Sequence, residues 1–284
     1  MKKIIVFLIS VLLCFSSMNA QSLMESLNGF SKTKIATGTI PEGREILPAV
    51  YQYVKGYTVA DGNFGECKFL ALDPINNFFR INQYIIYKSG LGYSKQLSTF
   101  EVTCEGNIFT VNALGMTNTT VNKNGKAIGP SRDASNSSIS KLNEITVEQI
   151  LSLLSTDDET WNNMVDMTYA DINIIITSVN GAANKIKAKQ YLKNHPVEGK
   201  NTDFKFIFQN VDESNIEGYA YKFTGMYNCP FTKEASPVFI IFYSNNDEYV
   251  EQKNGTSILA KGTINNIGTD ELIGFSISSI TIFE

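Results

Sequence analysis

Hydrophobic and polar residues change their spacing several times along the chain, and each change predicts a different kind of element. From about Pro48 to Gly115 the spacing is two. Phe79, Ile81, Ile85 and Tyr87 share one parity, with Gln83 interrupting, while Arg80, Asn82 and Lys88 take the other. Alternation of this kind marks half-buried strands. Ser98–Cys104 and Ile108–Leu114 flank Glu105-Gly106-Asn107, a hairpin turn, and Asp61-Gly62-Asn63 and Ser89-Gly90 punctuate the strands before it. The stretch from Gln21 to about Gly38 is weakly patterned and reads as an entry segment. After Gly115 the alternation lapses. No aromatic residue lies between Phe109 and Trp161, and Thr117–Lys141 is rich in Asn, Ser, Thr, Gly and Lys. That composition predicts a loop or linker over 117–145.

Helical spacing follows. Thr146 with Gln149, and Thr156 with Glu159, have the form of capping boxes. The first opens the stripe Val147, Ile150, Leu151, Leu154, and the second opens Trp161, Met164, Val165. Residues 171–194 allow two readings. Ile172, Ile175, Ile176, Val179, Ala183 and Ile186 suit a helix, whereas Asn180-Gly181 suits a hairpin turn and Lys185, Lys187 and Lys189 alternate as a strand does. The Ala-, Lys- and Gln-rich composition of 182–193 favours the helix, ended by His195-Pro196. Strand spacing then returns in Phe204/Phe206/Phe208, Tyr219–Tyr227, Val238–Tyr243, Thr256–Ile264 and Phe275–Phe283. A polar stretch, Asn246–Lys253, could form two helical turns. Ser278-Ser279 shifts the apolar parity and predicts a bulge.

These patterns predict a mainly β protein with a central helical segment, of the α+β class. An N-terminal β-rich domain would span 21–116, the linker or loop 117–145, the helical segment 146–200 and a C-terminal β-domain 201–284. Residues 1–20 stand apart. Lys2 and Lys3 precede an almost unbroken apolar run, Ile4–Phe15, and a polar stretch ends at Ala20. This is the order of a cleavable secretory signal peptide, with cleavage after Ala20. Cys14 raises lipidation as a rival, but a lipobox wants a small residue where Leu13 stands. The apolar run is shorter than the roughly 20 residues that span a bilayer, and no second long apolar segment follows. The expectation is an exported protein that is periplasmic, at the cell surface or secreted, with no transmembrane segment in the mature chain.

Charge narrows the partners. Without Lys2 and Lys3 the chain carries 22 basic against 28 acidic residues, a net charge of −6. Nothing in that balance attracts nucleic acid or anionic lipid.

The run Gly255-Thr256-Ser257-Ile258-Leu259-Ala260-Lys261-Gly262-Thr263-Ile264 resembles the fourth strand of OB-fold barrels, where hydrophobic-x-Lys-Gly-x-hydrophobic recurs. The resemblance covers about 202–284, a five-stranded segment with a place for a helix between its third and fourth strands. It implies binding of oligonucleotides, oligosaccharides or proteins. Residues 202–284 hold five lysines, no arginine and eleven acidic residues, so nucleic acid is the least favoured of the three.

Candidate chemistry is sparse. Cys67, Cys104 and Cys229 remain after cleavage, an odd number, and export permits a Cys67–Cys104 disulfide; buried free thiols are the alternative. His195 is the only histidine, which excludes multi-histidine metal sites; a solvated histidine at a helix end is its ordinary reading. Asp157-Asp158-Glu159, Asp212-Glu213 and Asp247-Glu248 are the paired carboxylates a glycosidase would need. The first set suits a helix N-terminus, and the others suit solvated turns. Asn245–Glu248 lacks the spacing of a calcium loop. Gly90-Leu91-Gly92 and Gly125-Lys126 lack the spacing of phosphate loops. Lys185, Lys187, Lys189 and Lys193 read as a solvated face. Tyr51, Tyr53, Tyr57, Tyr84, Tyr87, Tyr93, Tyr219, Tyr221 and Tyr227 suit strand packing, with a minority free to line a site. No catalytic residue, metal ligand or cofactor is assigned. The expected function is a non-catalytic binding or interaction module with a cell-envelope protein or a glycan as partner. The alternatives are a secreted carboxylate-dependent hydrolase and a structural component of a surface assembly.

Overall fold

The structure, a computed structural model, describes residues 34–60, 62–90, 92–231, 238–245, 247, 250–267 and 272–283. Residues 1–20, with Cys14 and Ala20, lie outside the described residues. The architecture is mainly β with five helices among the described residues, an α+β arrangement. No described helix is long and apolar enough to cross a membrane.

The first half is a six-stranded antiparallel sheet. Strands β1 (Ala36–Thr39), β2 (Phe64–Asp73), β3 (Phe78–Ser89), β4 (Gly92–Glu105) and β5 (Ile108–Val121) lie in the order β1-β5-β4-β3-β2, and β6 (Ala127–Asp133) also pairs with β5. The parity read from the sequence is the parity of the core. Phe79 and Ile81 face Val102 and Phe100 across the ladder, and these in turn face Val111 and Ala113. All six are buried.

A helix, α1 (Ile46–Lys55), lies on this core where the alternation predicted strand. Ile46, Leu47, Val50, Tyr51 and Val54 repeat at helical spacing and are all buried. Their β-branched and aromatic side chains lower the local helix preference, and burial against the sheet overrides it. Tyr53 meets the Phe100 ring edge-on, with centroids 6.1 Å apart.

The stretch 117–145 is not a linker. β5 runs through residue 116 to Val121, the turn Asn122–Lys126 follows, and β6 returns along β5. β6 is largely exposed, so it needs no apolar alternation and gave no strand signal. Helix α2 (Asn136–Leu154) then starts ten residues before Thr146, with the Ser135 hydroxyl accepting the Ser138 N–H at 3.2 Å. Thr146 is a fully buried interior residue of this helix, not its cap.

Helix α3 (Asp158–Ala170) is capped by Asp157, one residue after the expected Thr156; the Asp157 carboxylate accepts the Thr160 N–H at 2.9 Å. Residues 171–194 form two helices, α4 (Ile172–Gly181) and α5 (Lys185–Asn194), so Asn180-Gly181 ends a helix instead of turning a hairpin.

The last five strands, β7 (Asn201–Glu213), β8 (Tyr221–Tyr227), β9 (Val238–Ser244), β10 (Ser257–Ile267) and β11 (Leu272–Phe283), close into a barrel of order β10-β11-β9-β8-β7, with β7 also pairing β10. Every pair is antiparallel except β9 with β11. Lys261 faces Ser279 and Gly262 faces Ile277, which puts the expected bulge at Ser278. Phe206, Phe208, Phe223, Ile240, Phe242, Ile258 and Ile264 are buried in the barrel. Gly225 makes room for Phe206: a Cβ there would fall 2.3 Å from the ring. In the region of the expected turns 246–253, the Val250 N–H donates to the Asp247 carbonyl at 2.9 Å; residues 246, 248 and 249 lie outside the described residues.

Sheet, helices and barrel share contacts. The Tyr227 hydroxyl donates to Asn173 Oδ1 at 2.6 Å, and Phe231 meets Phe69 of β2 edge-on at 6.4 Å. Within the sheet the key tie is Asn143 of α2, which is fully buried. Its Oδ1 accepts the Ala113 N–H at 2.8 Å and its Nδ2 donates to the Lys34 carbonyl at 3.0 Å. Replacing Asn143 by alanine strands both main-chain groups, each costing about 1–3 kcal/mol when buried. Chemical denaturation of Asn143→Ala is expected to show a loss of about 2–4 kcal/mol; a loss within error of zero would show that these groups find other partners.

Candidate functional site

A cleft of about 600 Å³ opens where the segment after β1 passes the β4–β5 turn and the ends of α3 and α5. Its floor is built from the chain outward. The Ile40 N–H donates to the Asn107 carbonyl at 2.7 Å, fixing the entry to the segment. The Arg44 N–H donates to the Pro41 carbonyl at 3.1 Å, closing a turn with Gly43 at φ +74°. The Arg44 guanidinium then reaches across, donating to the Thr156 carbonyl and to Asp158, both at 2.9 Å, and lies 4.8 Å from the centre of the Trp161 ring. It is committed to holding the segment and leaves little charge for a ligand.

Glu45 occupies the N-cap position of α1 without capping it. Its carboxylate instead accepts the Tyr169 hydroxyl. Tyr169 lies in the last turn of α3, and its ring stacks on the imidazole of His195 at 4.1 Å with 19° between planes. His195 is the C-cap of α5, its N–H donating to the Tyr191 carbonyl at 2.9 Å. Positions 191 and 195 fall on one helical face, and the two rings are 4.6 Å apart. Glu45, Tyr169, Tyr191 and His195 thus converge on one wall of the cleft.

Burial sets the protonation states. It pushes Tyr191 up to about 12, with the Glu45 charge reinforcing. Tyr169 is raised further, by burial first and then by Glu45. Both phenols are therefore donors across physiological pH. Burial lowers the His195 pKa, Glu45 opposes that, and Lys200 adds to it. The cleft is lined by Tyr169, whose hydroxyl is held by Glu45, by Tyr191, whose hydroxyl is buried, by a largely neutral imidazole and by the carboxylates of Glu42 and Glu45.

A second cleft of about 450 Å³ is lined by Tyr51, Asp166, Asp171, Lys200 and Asp203, among others. Its polar groups largely satisfy one another. The Tyr51 hydroxyl donates to Asp171 at 2.8 Å, Lys55 lies 3.5 Å from Asp171, and Lys200 donates to Asp166 at 2.6 Å. Asp171 also accepts the Asn173 N–H at 2.8 Å at the start of α4. This is a structural junction.

The residues singled out from sequence are dispersed. Cys67 and Cys104 are free thiols. Cys67 faces Gln83, Gln83 faces Ser98, and Cys104 lies six residues further along β4. With a whole strand between them they are beyond the roughly 7 Å Cα separation a disulfide tolerates, which corrects the expected bridge. Burial raises the Cys67 thiol to about 12, and it raises that of Cys104, which lines the large cleft. His195 is at the expected helix end but half-buried between tyrosines instead of solvated. Asp158 and Glu159 lie in the first turn of α3 after the Asp157 cap. Asp212 and Glu213 end β7, and Asp247 is exposed. Lys185, Lys187, Lys189 and Lys193 are exposed on α5. Among the described residues no group of His, Cys, Asp and Glu has the arrangement of a metal site.

Tyr51 and Tyr53 are core residues and Tyr84, Tyr87 and Tyr93 are half-buried on the sheet. The tyrosines that matter in the cleft, Tyr169 and Tyr191, gave no sequence signal, and neither did Glu45. They meet only because α3, α5 and the α1 N-terminus converge. The uniqueness of His195 was the one usable pointer. The chain matches no known family model and no curated protein.

A lowered histidine pKa has a definite sign. The unfolded chain takes up the proton first, so stability falls as pH drops below about 6.5 and the loss ends below the folded-state value. With a single histidine, one imidazole signal reports the site. In an NMR titration His195 is expected below the ordinary value, lower still in Glu45→Gln and higher in Lys200→Ala. An unchanged value in Glu45→Gln would remove Glu45 from its surroundings.

Proposed function

We propose that this is an exported protein that acts outside the cytoplasm as a non-catalytic binding module, taking a neutral, hydroxyl-rich ligand of the glycan type in the large cleft. The N-terminal order of Lys2-Lys3, apolar Ile4–Phe15 and Ala20 supports export. The observation that carries the binding reading is the stacked wall of Tyr169, His195 and Tyr191 beside Glu45. An aromatic wall suits the apolar faces of sugar rings, while the imidazole and the Glu42 and Glu45 carboxylates suit their hydroxyls. The acidic lining disfavours an anionic ligand.

The C-terminal barrel is read here as OB-like. Five strands in the order β7-β8-β9-β11-β10, closing back on β7 with only β9 and β11 parallel, support that reading, as does the Lys261-Gly262 run on the fourth of them. The acidic balance of residues 202–284 again favours a glycan or protein ligand over nucleic acid. A secreted hydrolase would need two facing carboxylates left free for chemistry. In the large cleft Glu45 is held by Tyr169, and in the second cleft Asp166 and Asp171 are held by Lys200, Tyr51 and Lys55.

Trp161, the sole tryptophan, is buried beneath Arg44, which lines the cleft, and its fluorescence serves as the readout through that contact. Titration with a panel of soluble neutral oligosaccharides is expected to change that signal saturably for at least one member. His195→Ala should weaken binding about tenfold, as loss of one good stacking contact would. Release of new reducing ends would transfer the cleft to the hydrolase reading, and silence across the panel would remove the glycan reading.

A further inference from the structure

The sheet leaves one long strand with an open edge. β2 pairs with β3 alone, and among the described residues no other main-chain group hydrogen-bonds to residues 64–72. The apolar strand β9, which looks like the natural candidate for strand addition, is paired on both sides by β8 and β11. The other flank of the sheet, β6, carries Pro130, which has no N–H to offer an incoming strand. The face of β2 turned to solvent reads Phe64, Glu66, Lys68, Leu70, and all four are exposed, Phe64 by 64% and Leu70 by 46%. Exposed apolar residues on an open edge are what native sheets normally avoid, and this edge is guarded only by Lys68 and by a bulge at Leu70.

We propose that β2 pairs antiparallel with β2 of a second copy of this chain, about a twofold axis at Cys67, so that one sheet runs across a dimer. The register follows from charge. Residues directly opposite in an antiparallel pair lie on one face, so the axis must pass through a residue and not between two. Centred on Glu66, the pairing sets Glu66 against Glu66 and Phe64 against Lys68. Centred on Lys68, it sets lysine against lysine and Glu66 against Leu70. Like charges directly opposite are destabilising. Centred on Cys67, the charges on the solvent face match: Glu66 meets Lys68 and Lys68 meets Glu66, and the regular ladder ends at Phe69, before the bulge at Leu70.

The inner face agrees. There Gly65 meets Phe69, a small residue against a large one, and Cys67 meets its own copy. Lys68, whose charge would guard an edge, is neutralised in this register, and the bulge at Leu70 lies beyond the paired residues. The pairing stops at Phe69, short of Asp73 and Ile75, where Gly181 of α4 lies close. An odd number of cysteines in an exported chain has its counterpart here, since Cys67 sits on the axis. The interface does not involve the large cleft, so this assignment and the ligand reading stand or fall separately.

The test is sedimentation equilibrium of the exported chain and two charge variants, with amide hydrogen exchange as a second readout. The parent chain is expected to dimerise. Lys68→Glu converts two opposite-charge pairs into two like-charge pairs and should weaken the dimer about tenfold or more. The double variant Glu66→Lys/Lys68→Glu restores opposite pairing and should restore the dimer. Both side chains are exposed, so thermal melting should be unchanged in both variants when compared at a concentration where all three chains are monomeric. The amides of 65–69 should exchange more slowly as concentration rises. A monomer at about 0.1 mM, a dimer indifferent to Lys68→Glu, or a double variant as weak as the single one would each overturn the proposal.

Discussion

The buried side-chain amide of Asn143 joins β5 and the entry to β1 to α2 and fixes the course of the chain into the large cleft. β1 reaches back along β5 only as far as Ala36 opposite Val111. Beyond that point a buried main-chain donor on Ala113 and an acceptor on Lys34 would face each other across a gap. Asn143 fills the gap from α2, presenting acceptor to one and donor to the other. Buried main-chain groups must be paired, and a carboxamide is the side chain that offers both halves. With β1 held in line, Ile40 meets Asn107, the turn at Gly43 closes, and Arg44 and Glu45 arrive where α3 can receive them.

Arg44 and Asp171 play matching parts at the two ends of α3. Arg44 anchors the segment before α1 to the start of α3, across Trp161. Asp171 ties the end of α3 and the start of α4 to Tyr51 and Lys55 of α1. Asn173, two residues on, receives Tyr227 from the barrel. The helices are thus a bracket between sheet and barrel, and the cleft lies on the side of that bracket where α5 ends. The same bracket covers the inner face of the sheet and leaves the edge at β2 open.

Strand parity was legible wherever one face meets the core and the other meets water. Phe79, Ile81, Phe100 and Val102 announce their positions, and the parity break at Ser278-Ser279 announces its bulge. Parity failed in two opposite situations. α1 is buried on almost every side, so its apolar run carries no face, and its Val and Tyr residues mimic a strand. β6 is wet on almost every side, so its polar run mimics a linker. Local capping signals also misled by position: Thr146 is buried inside α2, where the tertiary contacts of the helix outweigh a three-residue pattern.

The sequence by itself determined the α+β composition, the alternating faces of the long strands, the bulge and the overall acidity, because each is written in neighbouring residues or in simple sums over them. Only the tertiary structure decided which strands share an edge, that Cys67 and Cys104 stand apart, and that Glu45, Tyr169, Tyr191 and His195 meet. Those outcomes join residues from 45 to 195, and no spacing along the chain encodes them. They follow from strand order and from the packing of the helices against one another and the sheet, where burial, hydrogen-bond satisfaction and register act on distant segments at once.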